Sequence, residues 1–175
     1  MQAAVLGLVG GVATAYSIYH HGHKSTLFSR YCVVLSVFHL SEYVFTALSN
    51  RRSLQPDSFL LNHSYGYWGA AALSWAEFSL EYYALPMLKN VNVSMIGVLF
   101  CLVGEVIRKA AMLQAGNGFT HRLAMAKRPD HKLITDGIYG FCRHPGYTGW
   151  LIWSVSTQLV LCNPFCCVIY AFNET

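Results

Sequence analysis

Charge is what this sequence has least of. Of its 175 residues, 11% are Asp, Glu, Lys or Arg, while 54% are hydrophobic. A soluble domain carries about 25% charged residues. So few charges cannot cover the surface of a water-soluble globule. Disorder is excluded as well, because disordered chains are poor in apolar residues and aromatics, and aromatics make up 14% here. The signatures of soluble catalysis are also missing: no GxGxxG, P-loop, HExxH or GxSxG is present. No CxxC pair occurs among Cys32, Cys101, Cys142, Cys162, Cys166 and Cys167. These cysteines read as small buried hydrophobes rather than disulfides or a zinc site. His20, His21 and His23 have no carboxylate or thiol close in sequence, so they read as a solvated turn and no metal is expected. No internal repeat is evident. No Lys or Arg precedes Lys24, so the basic start of a signal peptide is absent and the first apolar run is expected to be retained.

What is present is a series of long apolar runs. Stretches of about 20 apolar residues are candidate membrane-crossing helices. They run from Met1 to about Tyr19, from about Leu27 to Ser49, from about Tyr67 to Leu85, from about Val91 to Leu113, and from about Tyr147 to Cys162. Asn163-Pro164 breaks the last, and Phe165–Phe172 follows it. The fold class is therefore all-α: a polytopic transmembrane helix bundle. Residues 1–114 supply four spans, 115–146 a loop segment, and 147–175 a helical hairpin.

Basic residues set the orientation. Arg51 and Arg52 follow the second span, and Arg108, Lys109, Arg122, Lys127, Arg128, Lys132 and Arg143 end or follow the fourth. The other side holds mainly Lys24 and Lys89. The N-terminus and segment 115–146 are thus expected to be cytosolic. The glycosylation sequons Asn62-His63-Ser64 and Asn92-Val93-Ser94 then read as chance matches. The bilayer is the expected partner and nucleic acid is not.

Carboxylates within spans are costly, about 2.5–3.5 kcal/mol for Asp at a helix centre on insertion scales. Glu42, Glu77, Glu81 and Glu105 need partners or a polar cavity. Glu77 and Glu81 share a helix face and read first as interhelical hydrogen bonds and anchors. Glu105 is spaced to pair with Arg108 and Lys109 on its own helix. The functional reading of all four is a polar wall that admits a charged headgroup. Tyr65, Tyr67, Trp68, Tyr82, Tyr83, Tyr147, Trp150 and Trp153 read as interfacial aromatics, some of which could shape a hydrophobic tunnel.

Segment 115–146 carries the functional information. Its Gly and Pro content argues against a long helix, and it ends in Arg143-His144-Pro145-Gly146-Tyr147, with Pro placed to start a helix. Together with His131-Lys132-Leu133-Ile134-Thr135-Asp136-Gly137-Ile138-Tyr139 and the continuation Thr148-Gly149-Trp150, it resembles the H-x-L-hydrophobic-T-x-G-x-Y…R-H-P-x-Y-x-G-W pattern of membrane methyltransferases. Trp75-Ala76-Glu77-Phe78, Gly104-Glu105-Val106-Ile107-Arg108-Lys109 and Leu161-Cys162-Asn163-Pro164 extend it to roughly residues 30–172. Over that length the chain resembles the isoprenylcysteine carboxyl methyltransferase family of the endoplasmic reticulum membrane.

That resemblance implies an enzyme, a protein-S-isoprenylcysteine O-methyltransferase, that uses S-adenosylmethionine. It would methylate the C-terminal carboxylate of the prenylated cysteine of CaaX-processed proteins such as Ras-like GTPases. His131, Lys132, Leu133, Ile134, Tyr139, His144, Pro145, Gly146 and Tyr147 would line the cofactor site. Where the family often has a Gln shortly before these residues, this chain has Ala124. The family's substrate-binding Arg and its acidic E-E-x-x-L element follow the Asn-Pro break. The chain stops at Thr175 before either, so no catalytic residue is assigned, and little or no methyl transfer is expected of these 175 residues alone. A phospholipid or other small-molecule membrane methyltransferase, and a non-catalytic membrane protein, are the alternatives.

Overall fold

The computed structural model describes residues 1–61, 65–120 and 134–173. Among them the regular elements are all helical: α1 Gln2–Tyr19, α2 Thr26–Ser49, α3 Tyr65–Ala84, α4 Val91–Ala115, α5 Ile138–Phe141, α6 Pro145–Leu161 and α7 Pro164–Asn173. The long helices begin and end within a few residues of the apolar runs in the sequence. Three are long and apolar enough to cross a membrane: Gln2–Tyr19, Thr26–Ser49, and Val91–Gly118, which joins α4 to the 3-10 turn after it. The remaining two expected spans also form helices. In α3, however, Glu77, Glu81 and several Ser, Gly and Tyr dilute the apolar content, and α6 has 17 residues.

Helix α4 packs along α6 and α2, α1 leans on α2, and α7 folds back onto α6 and α3. Leu27, Tyr31, Phe38, Phe78, Cys101, Trp153, Val160 and Leu161 form the core. Large apolar side chains also cover the outside, among them Leu8, Val12, Leu48, Leu80, Leu99 and Val106. In water, patches of that extent mark a contact surface; against lipid they are the ordinary exterior of a span.

The ends of the helices are held by side chains from distant segments. Pro145 opens α6 and Pro164 opens α7, where a missing N–H costs nothing. The break between them is held from both sides. The ammonium of buried Lys89 shares its three hydrogens among the Leu161 and Cys162 carbonyls at 3.0 and 3.1 Å, Asn163 Oδ1 at 3.0 Å and Glu81 at 2.8 Å. Glu77 accepts from the Phe165 and Cys166 N–H groups, both at 2.7 Å. A cation thus meets the negative end of α6, and an anion meets the positive end of α7. The Glu77–Glu81 pair is therefore interhelical glue, as its spacing suggests. At the other end of the bundle, Asn50 Nδ2 donates to the Asn117 and Phe119 carbonyls at 3.1 Å each. This ties the end of α2 to the turn after α4.

Candidate functional site

The site begins with a close helix contact. On α4, a Cβ at Gly97 would lie 2.6 Å from the Val160 backbone nitrogen, and one at Gly104 would lie 2.6 Å from the Gly149 carbonyl oxygen. On α6, a Cβ at Gly149 would lie 2.6 Å from the Gly104 oxygen and 2.7 Å from the Arg108 nitrogen. Only glycine allows two helix backbones to approach this closely. Arg108, one turn beyond Gly104, is thereby carried to the first turn of α6.

There Arg108 Nη1 donates to the Gly146 carbonyl at 3.0 Å. Its Nε and Nη2 grip both oxygens of Glu42 at 2.6 and 2.9 Å, a two-point fork. Lys109 pairs with the same carboxylate and, at 3.3 Å, with Glu105, which also accepts from Ser41. Glu42 is fully buried. The sequence spacing offers Glu105 to both Arg108 and Lys109. The structure gives it Lys109 alone, because Arg108 turns across to α2. The Phe38 ring lies beneath both cations, 5.8 Å from the Arg108 guanidinium and 5.0 Å from the Lys109 ammonium.

A cavity of about 100 Å³ opens beside this network. Phe38 and His39 of α2, Leu60, Tyr67 of α3, Arg108 of α4, Phe119 and Thr120 form part of its wall. Gly146, Tyr147, Trp150 and Trp153 of α6 complete it. His39 Nδ1 lies 2.7 Å from the Phe59 carbonyl, which can only accept, so Nδ1 carries the hydrogen in that bond. In the neutral ring Nε2 is then the acceptor, 3.0 Å from the Tyr67 hydroxyl, which donates. Trp153 stacks on Phe38 with centroids 3.8 Å apart. Its buried indole N–H has no hydrogen-bond partner among the described residues.

Gln114 clamps the loop leading into α6. Its Nε2 donates to the Asp136 carbonyl at 2.7 Å, and its Oε1 accepts from the Ile138 N–H at 3.1 Å. Gly137 lies between these contacts at φ 53°, and a Cβ there would run into the Gln114 amide. The Tyr139 hydroxyl reaches the Ala111 carbonyl at 3.3 Å, and partial burial raises its pKa. Half-buried Cys142 shares a 3.2 Å hydrogen bond with the Thr148 hydroxyl. That contact, followed by the His144 backbone N–H, lowers the thiol pKa.

Of the nine residues expected to line a cofactor site, His131, Lys132 and Leu133 lie outside the described residues. Gly146 and Tyr147 are in the cavity wall. Buried Pro145 starts the helix behind them. Exposed His144 precedes it, with its ring centroid 6.2 Å from that of Tyr147. Tyr139 packs on α4, and Ile134 is half-buried. The sequence pattern missed Phe38, His39 and Leu60 as wall residues and Glu42 as the partner of Arg108. A carboxylate and a guanidinium both inside apolar spans were the available signal.

The chain is similar to known proteins over almost its whole length. The profile of the Isoprenylcysteine carboxyl methyltransferase (ICMT) family matches residues 95–175. Protein-S-isoprenylcysteine O-methyltransferase of Mus musculus is 46% identical over 174 residues, 99% of this chain and 61% of the mouse protein. The Tribolium castaneum protein of that name is 43% identical over 97% of this chain and 60% of its own length. A probable protein-S-isoprenylcysteine O-methyltransferase of Oryza sativa subsp. indica is 42% identical over 80% of this chain and 73% of its own. A solved structure of the eukaryotic intramembrane Ras methyltransferase ICMT superposes with a TM-score of 0.93 at 40% identity, over 99% of this chain and 62% of that one. The chain thus spans about three fifths of the length of the mouse relative, 61%.

Proposed function

The chain belongs to the isoprenylcysteine carboxyl methyltransferase family, and on that premise we propose that its helices and Arg-His-Pro-Gly-Tyr motif serve the methylation of the C-terminal carboxylate of a prenylated cysteine with S-adenosylmethionine as donor, with little or no turnover by these 175 residues alone. The observation that carries this reading is the cavity in which Gly146 and Tyr147 of the Arg-His-Pro-Gly-Tyr motif meet Arg108 and the α2 aromatics.

The residues present fit such a donor. Tyr147, Trp150 and Tyr67 supply aromatic rings to the wall, a surface suited to a sulfonium cation, and the Trp153 N–H, without a partner among the described residues, offers a donor to an acceptor group. His144, Pro145, Gly146 and Tyr147 would hold the cofactor from the α6 side. His131, Lys132, Leu133 and Ile134 would hold it from the loop, with Tyr139 between the two sets. When bound, S-adenosylmethionine supplies a methyl group that passes to a carboxylate oxygen as the sulfonium becomes a neutral thioether.

The protein's own work is placement. A carboxylate is already ionised at neutral pH and needs no general base. It needs removal from water and alignment with the methyl carbon. Buried Phe38, His39 and Trp153 keep the inner wall of the cavity from water, and Arg108, bonded to both Glu42 and Gly146, fixes the start of α6 relative to α2. A prenyl tail leaves the bilayer only at about 0.8 kcal/mol per CH₂, so the tail stays among the apolar helices while the soluble donor comes to the interface. On this reading segment 115–146 and the N-terminus face the cytosol at the endoplasmic reticulum membrane, which the excess of Lys and Arg around that segment supports. The substrates are CaaX-processed proteins such as Ras-like GTPases.

Ligand-dependent thermal unfolding of the purified chain in detergent tests the reading. S-adenosylhomocysteine and N-acetyl-S-farnesylcysteine should each raise the midpoint, and phosphatidylethanolamine should not. Protection by phosphatidylethanolamine in place of the farnesylcysteine would point to phospholipid methylation. No protection by S-adenosylhomocysteine contradicts every methyltransferase reading and leaves a non-catalytic membrane protein.

A further inference from the structure

His39 lies within the α2 span, lines the cavity and is 2% exposed. An ionisable residue inside a span is costly, and it is a functional-site candidate by default. An apolar side chain would fill the same space without needing partners. His39 Nδ1–H holds the Phe59 carbonyl at 2.7 Å, and Nε2 accepts from the Tyr67 hydroxyl at 3.0 Å. Its ring meets that of Trp153 edge-on, with centroids 6.3 Å apart. The α2 helix, the 3-10 turn Pro56–Phe59, α3 and α6 therefore meet on one imidazole.

The residue after Phe59 shows what that junction does. Leu60 lines the cavity at φ 56°, in the left-handed region that residues other than Gly, Asn and Asp rarely enter. Such backbone persists where the surroundings over-determine it, and it clusters at ligand sites. Phe59 is fixed twice. Its ring stacks on Tyr43 with centroids 4.3 Å apart, and His39 holds its carbonyl. The peptide that leads into Leu60 is thus held at both ring and oxygen.

We propose that His39, as its Nδ1–H tautomer, is a positioning residue for ligand binding in this cavity. It holds Leu60 through the Phe59 carbonyl and Tyr67 through its hydroxyl, two wall residues from outside α2, α4 and α6. The proposal rests on the methyltransferase reading above and adds the side chain that shapes the site. It gives His39 no proton transfer and no contact with reacting atoms, because the protein itself engages both ring nitrogens.

The test measures affinity and stability separately, in detergent, with S-adenosylhomocysteine and N-acetyl-S-farnesylcysteine as probes. His39→Asn keeps an amide N–H near the Nδ1 position, and His39→Gln keeps an amide oxygen near the Nε2 position. Each retains one of the two bonds, and His39→Ala retains neither. Folded His39→Ala should bind at least one probe about tenfold more weakly than the parent, with His39→Asn and His39→Gln between them. Tyr67→Phe removes only the hydroxyl and should weaken the same probe in the parent. In the His39→Ala background it should add nothing, because both changes break one bond. A lowered thermal midpoint with both affinities at the parent level means a structural role alone. That result overturns the proposal and leaves the functional reading standing. Failure of the parent to bind either probe overturns that reading, and the proposal with it. Where the variants fold poorly, the parent still decides. Its ¹⁵N ring signals should show His39 with hydrogen on Nδ1, and they should move when a probe binds. An Nε2–H tautomer, or ring signals that neither bound probe moves, contradicts the proposal.

Discussion

Gly104 and Gly149 face each other so closely that a Cβ on either would lie 2.6 Å from the other's carbonyl oxygen. This contact sets the distance between α4 and α6. It also sets the reach from Arg108 to the Gly146 carbonyl, 3.0 Å, at the start of the motif.

Gly149→Ala should therefore act at a distance. The new methyl meets backbone on α4, which cannot move aside as a side chain would, so overpacking should cost about 1–3 kcal/mol. The thermal midpoint in detergent should fall, and binding of S-adenosylhomocysteine should weaken along with it. Gly118→Ala is the control, because nothing lies within 4 Å of its Cβ position. It should leave both unchanged.

Among the described residues Glu42 is the anion that Arg108 and Lys109 share. Glu42→Gln keeps the shape, leaves buried Arg108 with no carboxylate among the described residues, and leaves Lys109 with Glu105 alone. Breaking a buried pair in this way costs about 3–5 kcal/mol. Unfolding should show a loss of that order, whereas Glu42→Asp should lose less. Equal stability of Glu42→Gln and parent would mean the network is not held by charge.

Glu77 caps α7 through the Phe165 and Cys166 N–H groups. Glu77→Ala removes both acceptors and should cost about 1–2 kcal/mol. The effect should appear first as faster amide exchange at Phe165 and Cys166. Exchange there at the parent rate would contradict the cap.

Cys142 lies outside the long helices. The Thr148 hydroxyl, and after it the His144 N–H, hold its thiol below the ordinary value of 9.0. The thiolate is the nucleophile, and a lowered pKa means it forms at lower pH. The pH profile of Cys142 alkylation should therefore have its midpoint below 9.0. Thr148→Val removes the first of these contacts and should move that midpoint upward. A midpoint unmoved by Thr148→Val would contradict the assignment.

The helices were legible because their signals are local. Pro145 starts α6, Asn163-Pro164 ends it, and apolar length gives the rest. Glu77 and Glu81 were legible as interhelical contacts because a carboxylate in a span must find a partner, although Lys89, their neighbour at the α6–α7 break, read only as a loop charge. The partner of Arg108 was not legible. Glu105 is three residues away and fits the helical spacing, whereas Glu42 is 66 residues away, and only the Gly104–Gly149 contact and the packing of α2 on α4 bring it near. The cavity was half legible for the same reason. Gly146 and Tyr147 sit within a motif, whereas Phe38 and His39 come from α2 without a pattern.

The most direct test of the functional claim is photocrosslinking of an azido-substituted S-adenosylmethionine to the chain, followed by peptide mapping. Attachment is predicted in the peptide that holds His144, Pro145, Gly146, Tyr147 and Trp150, suppressed by excess S-adenosylhomocysteine. Attachment confined to the turn between α1 and α2, or attachment that S-adenosylhomocysteine does not suppress, would contradict it.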